Sequence, residues 1–413
     1  MAIIKPFQAY RYSPAAGDPS KLVTQPYDKI TPEMRAHYLQ ASPYNLVRII
    51  LGEPRDPETA FDNVYTRAAQ YLNDWIRDRI LVQDPEPGFY AYFQDFEMPD
   101  SRERLRRKGL IALGRLEDYS SGIVYRHEQT LAGPKRDRLE LLRHTRAHFG
   151  QIFMLYPDEE AAVDRLLDQT AAATPALSLI DEFQTRHSLW PVTDPSLITS
   201  IEVSIAPKKL LIADGHHRYE TALAYRDEHP DDAAAQFVMM TLVNLHSPGV
   251  KILATHRVLS GLPHFDPERF FEKAVSAGWS VSACDSLAKL KERLAHRDEK
   301  RIQFGVVAGD NEVRWMQHAR KPGQLDVPVL HRDVLGALLG VSEEAVHEQR
   351  YVNYVRGIDA AAEEVARGAQ VAFLLEPTRI DEMARVAFAG GVMPQKSTDF
   401  YPKLLSGVAI YKL

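Results

Sequence analysis

The chain carries the run Ala-Asp-Gly-His-His-Arg-Tyr-Glu-Thr-Ala at residues 213–222. The four apolar residues at 210–213 are typical of a buried strand. Residues 219–229 are rich in Ala, Leu, Glu and Arg and stop before Pro230, as a helix does. We therefore predict that the run lies on a tight turn from a strand into a helix.

Such a turn attracts anions, because the first N–H groups of a helix point outward and the helix dipole is positive there. Gly215 allows close approach of the backbone, and Arg218 adds a bidentate partner for phosphate. We interpret Asp214, Gly215, His216 and Arg218 as a phosphate or nucleotide site, with His217 in a catalytic role. The alternative is a simple helix cap, in which the acid and the glycine shape the turn.

Length and composition restrict the protein class. At 413 residues the chain is too long for one ordinary core, so two or three domains are expected. The 50 basic and 56 acidic residues give a net charge of −6, which argues against a general nucleic-acid binder. One cysteine permits no intrachain disulfide. With no signal-peptide pattern and no apolar run of membrane length, a cytoplasmic protein is expected.

The hydrophobic periodicity indicates a mixed α/β, or α+β, fold. A boundary is predicted at 261–263 (Gly-Leu-Pro), which separates a catalytic domain at 1–261 from a smaller α+β domain at 262–413. The spacing also predicts a helix at 60–80. Predicted strands include 46–51, 89–96, 107–116, 202–205 and 237–245, and the second and third of these are expected to pair.

Two further polar motifs supply candidate acids. Asp28 follows Pro26-Tyr27 and would accept a hydroxyl proton if the fold brings it near the phosphate loop. In the motif at 127–130 (His-Glu-Gln-Thr), His127 or Glu128 would act as acid or base. Glu128 or Asp214 would suit Mg²⁺, which prefers oxygen ligands. The alternative for both motifs is an ordinary polar turn.

Two other motifs supply cations. His256 and Arg257 end an apolar strand, where a salt bridge is the alternative to substrate binding. The segment 393–403 is too polar for a core and too rich in proline for a helix. Within it, Lys396, Ser397 and Lys403 are candidates for holding a phosphate or a substrate carboxylate, and a plain surface loop is the alternative.

Two familiar classes of enzyme do not fit the residues. A zinc hydrolase is disfavoured, because no His-Glu-x-x-His pattern occurs and His216 and His217 are adjacent instead of one helical turn apart. The glycine-rich Walker loop is also missing, so an ordinary P-loop kinase is excluded.

Several motifs in one order resemble the bacterial and archaeal family named domain of unknown function 1015. The resemblance extends over nearly the whole chain, but the family name states no activity. The motifs lie at 25–28 (Gln-Pro-Tyr-Asp), 127–130, 213–222, 254–257 (Ala-Thr-His-Arg) and 393–403.

The shorter string from Asp214 to Arg218 is similar to the signature of free-serine kinases of the ParB/sulfiredoxin-like fold. This resemblance implies such a fold for the N-terminal catalytic region, a turn that binds nucleotide phosphate, and a carboxylate base. No single acid here aligns with the kinases' catalytic carboxylate, so Asp28 and Glu128 stay open as the base. Serine's own carboxylate would need a cation, for which the candidates are Arg257, Lys396 and Lys403.

The favoured function is a phosphotransferase acting on a small hydroxylated metabolite. The resemblance points to free L-serine as acceptor, ATP or ADP as donor, and Mg²⁺ as cofactor, with phosphoserine turnover as the reverse reaction. The alternatives are a nucleotide-binding sensor and a scaffold. The expected partners are a small molecule and a nucleotide, without nucleic acid or membrane, and the oligomeric state is not predicted.

Overall fold

A computed structural model describes residues 1–99, 101–128, 132–296, 298–309 and 312–413. The chain forms two compact units. The first contains Met1–Arg126, Thr130–Lys251 and Pro402–Leu413, and the second contains His127–Gln129 and Ile252–Tyr401. The second unit thus begins before the predicted boundary at 261, and the C-terminal residues return to the first unit. Lys403 is consequently in the same unit as the 213–222 run.

Strands and helices are mixed along the chain, so the fold is α+β, as predicted. The strands of the first unit up to residue 244 are β1 (Ile4–Lys5), β2 (Tyr10–Tyr12), β3 (Leu81–Gln83), β4 (Phe89–Glu97), β5 (Arg104–Arg115), β6 (Val124–Tyr125), β7 (Ala147–His148), β8 (Ile152–Tyr156), β9 (Leu177–Ile180), β10 (Arg186–Val192), β11 (Leu210–Asp214) and β12 (Phe237–Asn244). The later strands are β13 (Lys251–Leu253), β14 (Thr255–Leu259), β15 (Ser280–Ala283), β16 (Arg301–Ala308), β17 (Glu312–Ala319), β18 (Val352–Arg356), β19 (Val371–Leu374), β20 (Asp399–Tyr401) and β21 (Tyr411–Lys412).

The helices, in chain order, are α1 (Pro32–Ala41), α2 (Val47–Ile50), α3 (Val64–Arg77), α4 (Ala132–Thr145), α5 (Ala162–Thr170), α6 (Pro195–Ile205), α7 (His216–Glu228), α8 (Pro267–Ser276), α9 (Leu287–Leu294), α10 (Asp326–Val329), α11 (Glu343–His347), α12 (Ile358–Ala366) and α13 (Ile380–Phe388). A π-helical stretch, Leu330–Gly336, continues α10. Within the described ranges, no helix combines the length and the apolar character needed to cross a membrane.

The first unit is built on a large mixed sheet. Its described strands follow the order β6-β11-β8-β12-β5-β4-β10-β9, and β1 adds to β5. All residues of β12 are buried, and this strand pairs parallel with β8 and antiparallel with β5. The predicted pairing of 89–96 with 107–116 is confirmed by the antiparallel register of β4 and β5. In the second unit, the sheet order is β15-β17-β16-β19-β14-β18.

The predicted turn from strand to helix is confirmed at 213–222. The residues of β11 before Asp214 are buried, and the chain turns at Gly215 with a φ of +96°. Helix α7 begins at His216 and ends at Glu228, before Pro230. The turn therefore lies at the end of a buried strand, where its position is fixed by the sheet.

Two predicted strands are wrong. Residues 47–50 form α2, where Asn45 Oδ1 accepts the N–H of Val47 at 2.9 Å. Residues 202–205 are the last turn of α6, a helix that starts at Pro195 and is capped by Asp194. Residues 47–50 are a short and mainly apolar run, which fits a buried helix as well as a buried strand. Residues 202–205 (Glu-Val-Ser-Ile) alternate polar and apolar residues over one helical turn, which is too short to distinguish the two.

Candidate anion-binding site

The candidate site lies where β11 passes into α7. Asp214 is the last residue of the strand, Gly215 makes the turn, and His216 and His217 open the helix. His216 is buried, while His217 is partly exposed. The N–H groups in the first turn of a helix have no carbonyl partner inside the helix, so this end is suited to an anion.

Arg218 folds back over the turn and lies between two glycines. Its Nη1 donates to the Gln151 carbonyl at 2.6 Å. A Cβ placed on Gly215 would lie 3.0 Å from Arg218 Nη2, and one on Gly150 would lie 3.1 Å from Nη1. The two glycines therefore leave the space that the guanidinium occupies.

Asp214 is held as a carboxylate by neighbouring cations. Lys403 Nζ lies 3.0 Å from Asp214 Oδ2, and the lysine side chain is only 9% exposed. Burial by itself would raise the pKa of Asp214, but nearby positive charges outweigh burial and hold this pKa well below its ordinary value. Those charges belong to Lys403, Arg218 and Lys29.

A further cation acts on Asp214 from the sheet. Arg107 is buried on β5, and burial lowers its pKa to about 9, which leaves it charged at neutral pH. Its charge interacts with that of Asp214. Four cations thus act on the single carboxylate of Asp214, namely Lys29, Arg107, Arg218 and Lys403. Even when the negative charge of Asp28 is counted, the positive charges outnumber the negative ones. Such an excess attracts an anion.

A pocket of about 70 Å³ adjoins Arg218. Its apolar wall is formed by Ile50, Leu141, Leu142, Phe149 and Ile152, and Gly150, Thr221 and Ser406 line the part near the arginine. Tyr27 also lines the pocket, and the Arg138 guanidinium lies 4.3 Å from the centre of the Tyr27 ring. A mainly apolar lining with a few polar groups is common in small-molecule sites, although this pocket is smaller than the range of about 300–1,000 Å³ that such sites span.

Asp28 lies in the first unit, in a short 3-10 helix formed by Tyr27–Lys29. Lys29 lies close enough to Asp214 for their charges to interact, and Tyr27 lines the same pocket as Arg218. Asp28 itself is exposed. The turn that carries this predicted base is therefore close to the turn that carries Arg218.

The remaining candidate site residues from the sequence analysis lie in the second unit, where they bind the backbone or side chains of the 393–398 segment. Glu128 Oε1 accepts the N–H of Lys396 at 3.2 Å, and Arg257 Nη2 donates to the Lys396 carbonyl at 3.0 Å. Lys396 has a φ of +56°, a left-handed conformation that is uncommon for a residue with a Cβ. These two bonds on either side of Lys396 stabilise that conformation.

His127, His256 and Ser397 also bind protein groups in that unit. His127 Nε2 lies 2.7 Å from Thr398 Oγ1, and Ser397 Oγ donates to the Pro394 carbonyl at 2.6 Å. His256 Nδ1 accepts the N–H of Leu375 at 3.2 Å. Their catalytic and substrate-binding roles stay predictions. Residues 129 and 130 of the His-Glu-Gln-Thr motif lie outside the described residues.

The first unit therefore brings the 214–218 loop together with Lys403, whereas Glu128, His256, Arg257, Lys396 and Ser397 lie in the second unit. The sequence analysis missed Lys29 and Arg107. Arg107 begins the predicted strand 107–116, which also carries Lys108 and Arg115, so its charge did not single it out. Among the described residues, no group of three or more His, Cys, Asp or Glu side chains is arranged to hold a metal ion.

Comparison with known proteins gives one family. Residues 4–340 match the family described as "Protein of unknown function (DUF1015)". No curated protein matches the chain.

Several solved structures are similar at low identity. A mutant free serine kinase in complex with ADP is 12% identical, with a TM-score of 0.40, over 70% of this chain and 88% of that one. A conserved hypothetical protein from Pyrococcus furiosus is 13% identical, with a TM-score of 0.37, over 70% and 91%. C-terminally truncated SbnI from Staphylococcus aureus is 12% identical, with a TM-score of 0.36, over 72% and 85%.

Proposed function

We propose that this chain, which belongs to the DUF1015 family, transfers a phosphoryl group from ATP or ADP to a small hydroxylated metabolite. Free L-serine is the specific acceptor that we name. The observation that carries the proposal is the excess of positive charge around Asp214, at the N-terminus of a helix and beside a pocket.

In this proposal the transferred phosphate lies against the first turn of α7. The backbone N–H groups of that turn, the guanidinium of Arg218 and the ammonium of Lys403 stabilise the charge on its oxygens, which is the main task in phosphoryl transfer. Gly215 allows the phosphate to approach the backbone closely. His216 and His217 lie in the same turn and complete its polar surface.

In this proposal the nucleoside of the donor lies against the apolar wall next to Arg218, and the pocket of about 70 Å³ would have to widen to enclose it. The pocket's apolar wall, with Phe149 and four leucine or isoleucine neighbours, suits a flat heterocycle, and Arg218 would contact the phosphates at its mouth. This arrangement points the terminal phosphate away from the pocket and towards Asp214 and Lys403.

Asp28 is the proposed base, because it lies in the same unit as the phosphate loop. The acceptor hydroxyl oxygen forms a bond to the terminal phosphorus as the bond to the donor's bridging oxygen breaks. The hydroxyl proton passes to the Asp28 carboxylate, and the nucleotide leaves with one phosphate fewer. The reverse reaction uses the same groups.

Within the phosphate loop, Asp214 is the residue whose chemistry suits Mg²⁺. Asp214 is an ionised carboxylate, and Mg²⁺ commonly binds one or two carboxylates together with phosphate oxygens and water. Asp214 would hold the ion, which would neutralise charge on the phosphate oxygens. Glu128 stays a second proposed ligand, and Arg257, Lys396 or Lys403 stays the proposed partner of the serine carboxylate.

The test is phosphoryl transfer followed by ³¹P NMR, with Mg²⁺, ATP or ADP, and a panel of amino acids and small alcohols. We expect a new phosphomonoester signal with L-serine. Arg218→Lys should reduce the rate by about a hundredfold, because lysine cannot donate to the Gln151 carbonyl and to phosphate in the same fork geometry.

The matched control is Arg226→Lys, on the same helix. Arg226 pairs with Asp118 and Asp227 on the surface, so its replacement should leave the rate unchanged. Absence of transfer with every donor and acceptor would refute the enzyme proposal. Binding of ADP without transfer would instead support the nucleotide-binding sensor.

A further inference from the structure

One face of the large sheet carries polar side chains that are fully buried. Along β4, Phe89, Ala91 and Phe93 enter the main core, so the alternate residues Tyr92 and Gln94 lie on the opposite face. Gln94 pairs across the sheet with Arg107 on one side and with His187 on the other. We call Tyr92, Gln94, Arg107 and His187 the polar patch, and each is at most 1% exposed.

The polar patch contacts the segment that carries Lys403. Arg107 Nη1 donates to the Pro402 carbonyl at 2.7 Å, and Gln94 Nε2 donates to the Lys403 carbonyl at 2.8 Å. Tyr92 Oη accepts the N–H of Leu405 at 3.4 Å. Three side chains on two strands therefore hold the backbone on both sides of Lys403.

The Tyr92 hydroxyl is itself oriented by a buried chain of hydrogen bonds. Because Tyr92 Oη accepts from Leu405, it can donate its proton to His187 Nδ1, which is 2.6 Å away. His187 then carries its proton on Nε2 and donates it to Asp181 Oδ2 at 3.2 Å. The histidine and aspartate side chains are 0% and 3% exposed, so water does not compete for these bonds.

The same chain reaches the turn that carries Asp28. Asp181 Oδ2 also accepts from Gln25 Nε2 at 3.2 Å, three residues before Asp28. Next to Gln25, the N–H of Thr24 donates to the Ser406 carbonyl, and the N–H of Ser406 donates to the Thr24 carbonyl. The segments on either side of the proposed site are thus linked to one buried network.

We infer that the polar patch and Asp181 are positioning residues that fix Lys403 against Asp214. Apolar side chains would cover a sheet face without the desolvation cost of a buried arginine, histidine and glutamine. Three hydrogen bonds of the patch end on residues 402–405, and Arg107 Nε also donates to the Gly249 carbonyl at 3.1 Å. The patch is therefore explained mainly by the 402–405 segment that it holds. Its consequence for catalysis rests on the proposed function, but its effect on this segment does not.

The test compares Tyr92→Phe with Tyr90→Phe. Both tyrosines lie on β4, both are 1% exposed, and each hydroxyl accepts one backbone N–H, that of Leu405 for Tyr92 and that of Ala9 for Tyr90. Hydrogen exchange should become about tenfold faster at Leu405 in Tyr92→Phe only, and at Ala9 in Tyr90→Phe only. Unchanged exchange at Leu405 in a folded Tyr92→Phe protein would overturn the inference.

The second measurement is binding of ADP to the same proteins. Tyr92→Phe should weaken binding by about tenfold and Tyr90→Phe should not, while the two melting temperatures stay similar. Equal weakening in both variants would mean a merely structural role and would overturn the inference. If the wild type itself binds no ADP, the proposed function fails, and exchange at Leu405 still decides the positioning role.

Should Tyr92→Phe fail to fold, Gln94→Met provides the same test. It removes the donor to the Lys403 carbonyl and keeps the volume of the side chain. Faster exchange across 403–405 would support the inference, and unchanged exchange would overturn it.

Discussion

Gly215 is the residue on which the loop geometry depends most. Its φ of +96° is strained for any residue with a Cβ, and a Cβ would also crowd the Arg218 guanidinium. A glycine after Asp214 was expected from the sequence to allow approach of a phosphate. The structure gives it a second role, since it leaves room for Arg218.

We predict that Gly215→Ala lowers the free energy of unfolding by about 1–2 kcal/mol, because the backbone conformation is strained. It should also weaken ADP binding, since Arg218 must move. Gly17→Ala is the matched control, because Gly17 has the same φ of +96° and nothing within 4 Å of an added Cβ. Urea unfolding and ADP titration of both variants check this. Equal losses of ADP affinity would contradict the role given to Gly215.

His256 gives a prediction about pH. Burial, and then the charge of Arg257, lower the pKa of His256 to about 4 from an ordinary value of 6.5. Between these two values the unfolded chain binds more protons, so the free energy of unfolding falls as the pH is lowered from 6.5 to about 4. At about 1.4 kcal/mol per pKa unit, the loss is on the order of 3 kcal/mol.

The measurement is the free energy of unfolding at several pH values for the wild type and His256→Asn. The asparagine amide oxygen can replace Nδ1 as the acceptor for the Leu375 N–H. The variant should show a smaller loss over this pH range. If the wild type and the variant lost the same free energy of unfolding over this pH range, His256 would not be held neutral in the folded protein.

At the scale of elements, the sequence analysis correctly predicted segments in which the hydrophobic pattern extends over many residues and the ends carry turn or helix-capping residues. The β11–α7 turn, the β4–β5 pair and β12 were found correctly. Residues 47–50 were not, because four residues are too few to show a period. Residues 202–205 were not, because they are only the last turn of a helix whose cap, Asp194, lies well before them.

Helix α3 illustrates how a cap sets an element's end. The helix spans Val64–Arg77 and is shorter than the predicted 60–80. It starts at Val64 because Asn63 and Thr66 form a capping box there. We predict that Asn63→Ala lowers the free energy of unfolding by about 1 kcal/mol. Asn73→Ala, at an exposed site on the same helix, should be neutral or slightly stabilising, since alanine is the better helix former. Urea denaturation distinguishes the two, and equal effects would contradict the cap's role.

At the scale of the whole chain, the decisive feature is the return of the C-terminal residues to the first unit. This return allows Lys403 to reach Asp214 across 189 positions of sequence. The motifs at both ends were recognised as candidates for binding an anion. Their pairing could not be predicted, because periodicity reports local structure and carries no information on which distant segments meet.

The most direct test of the phosphate site is the affinity for ADP of the wild type, Lys403→Met and Lys208→Met, measured by calorimetry. Lys208 pairs with Asp158 at 3.2 Å in the same unit and serves as the control. Lys403→Met removes a cation and leaves the Asp214 charge to repel phosphate, so we predict about a hundredfold weaker binding. Lys208→Met should bind as the wild type does. Unchanged ADP affinity in Lys403→Met would contradict the claim that the cations around Asp214 bind phosphate.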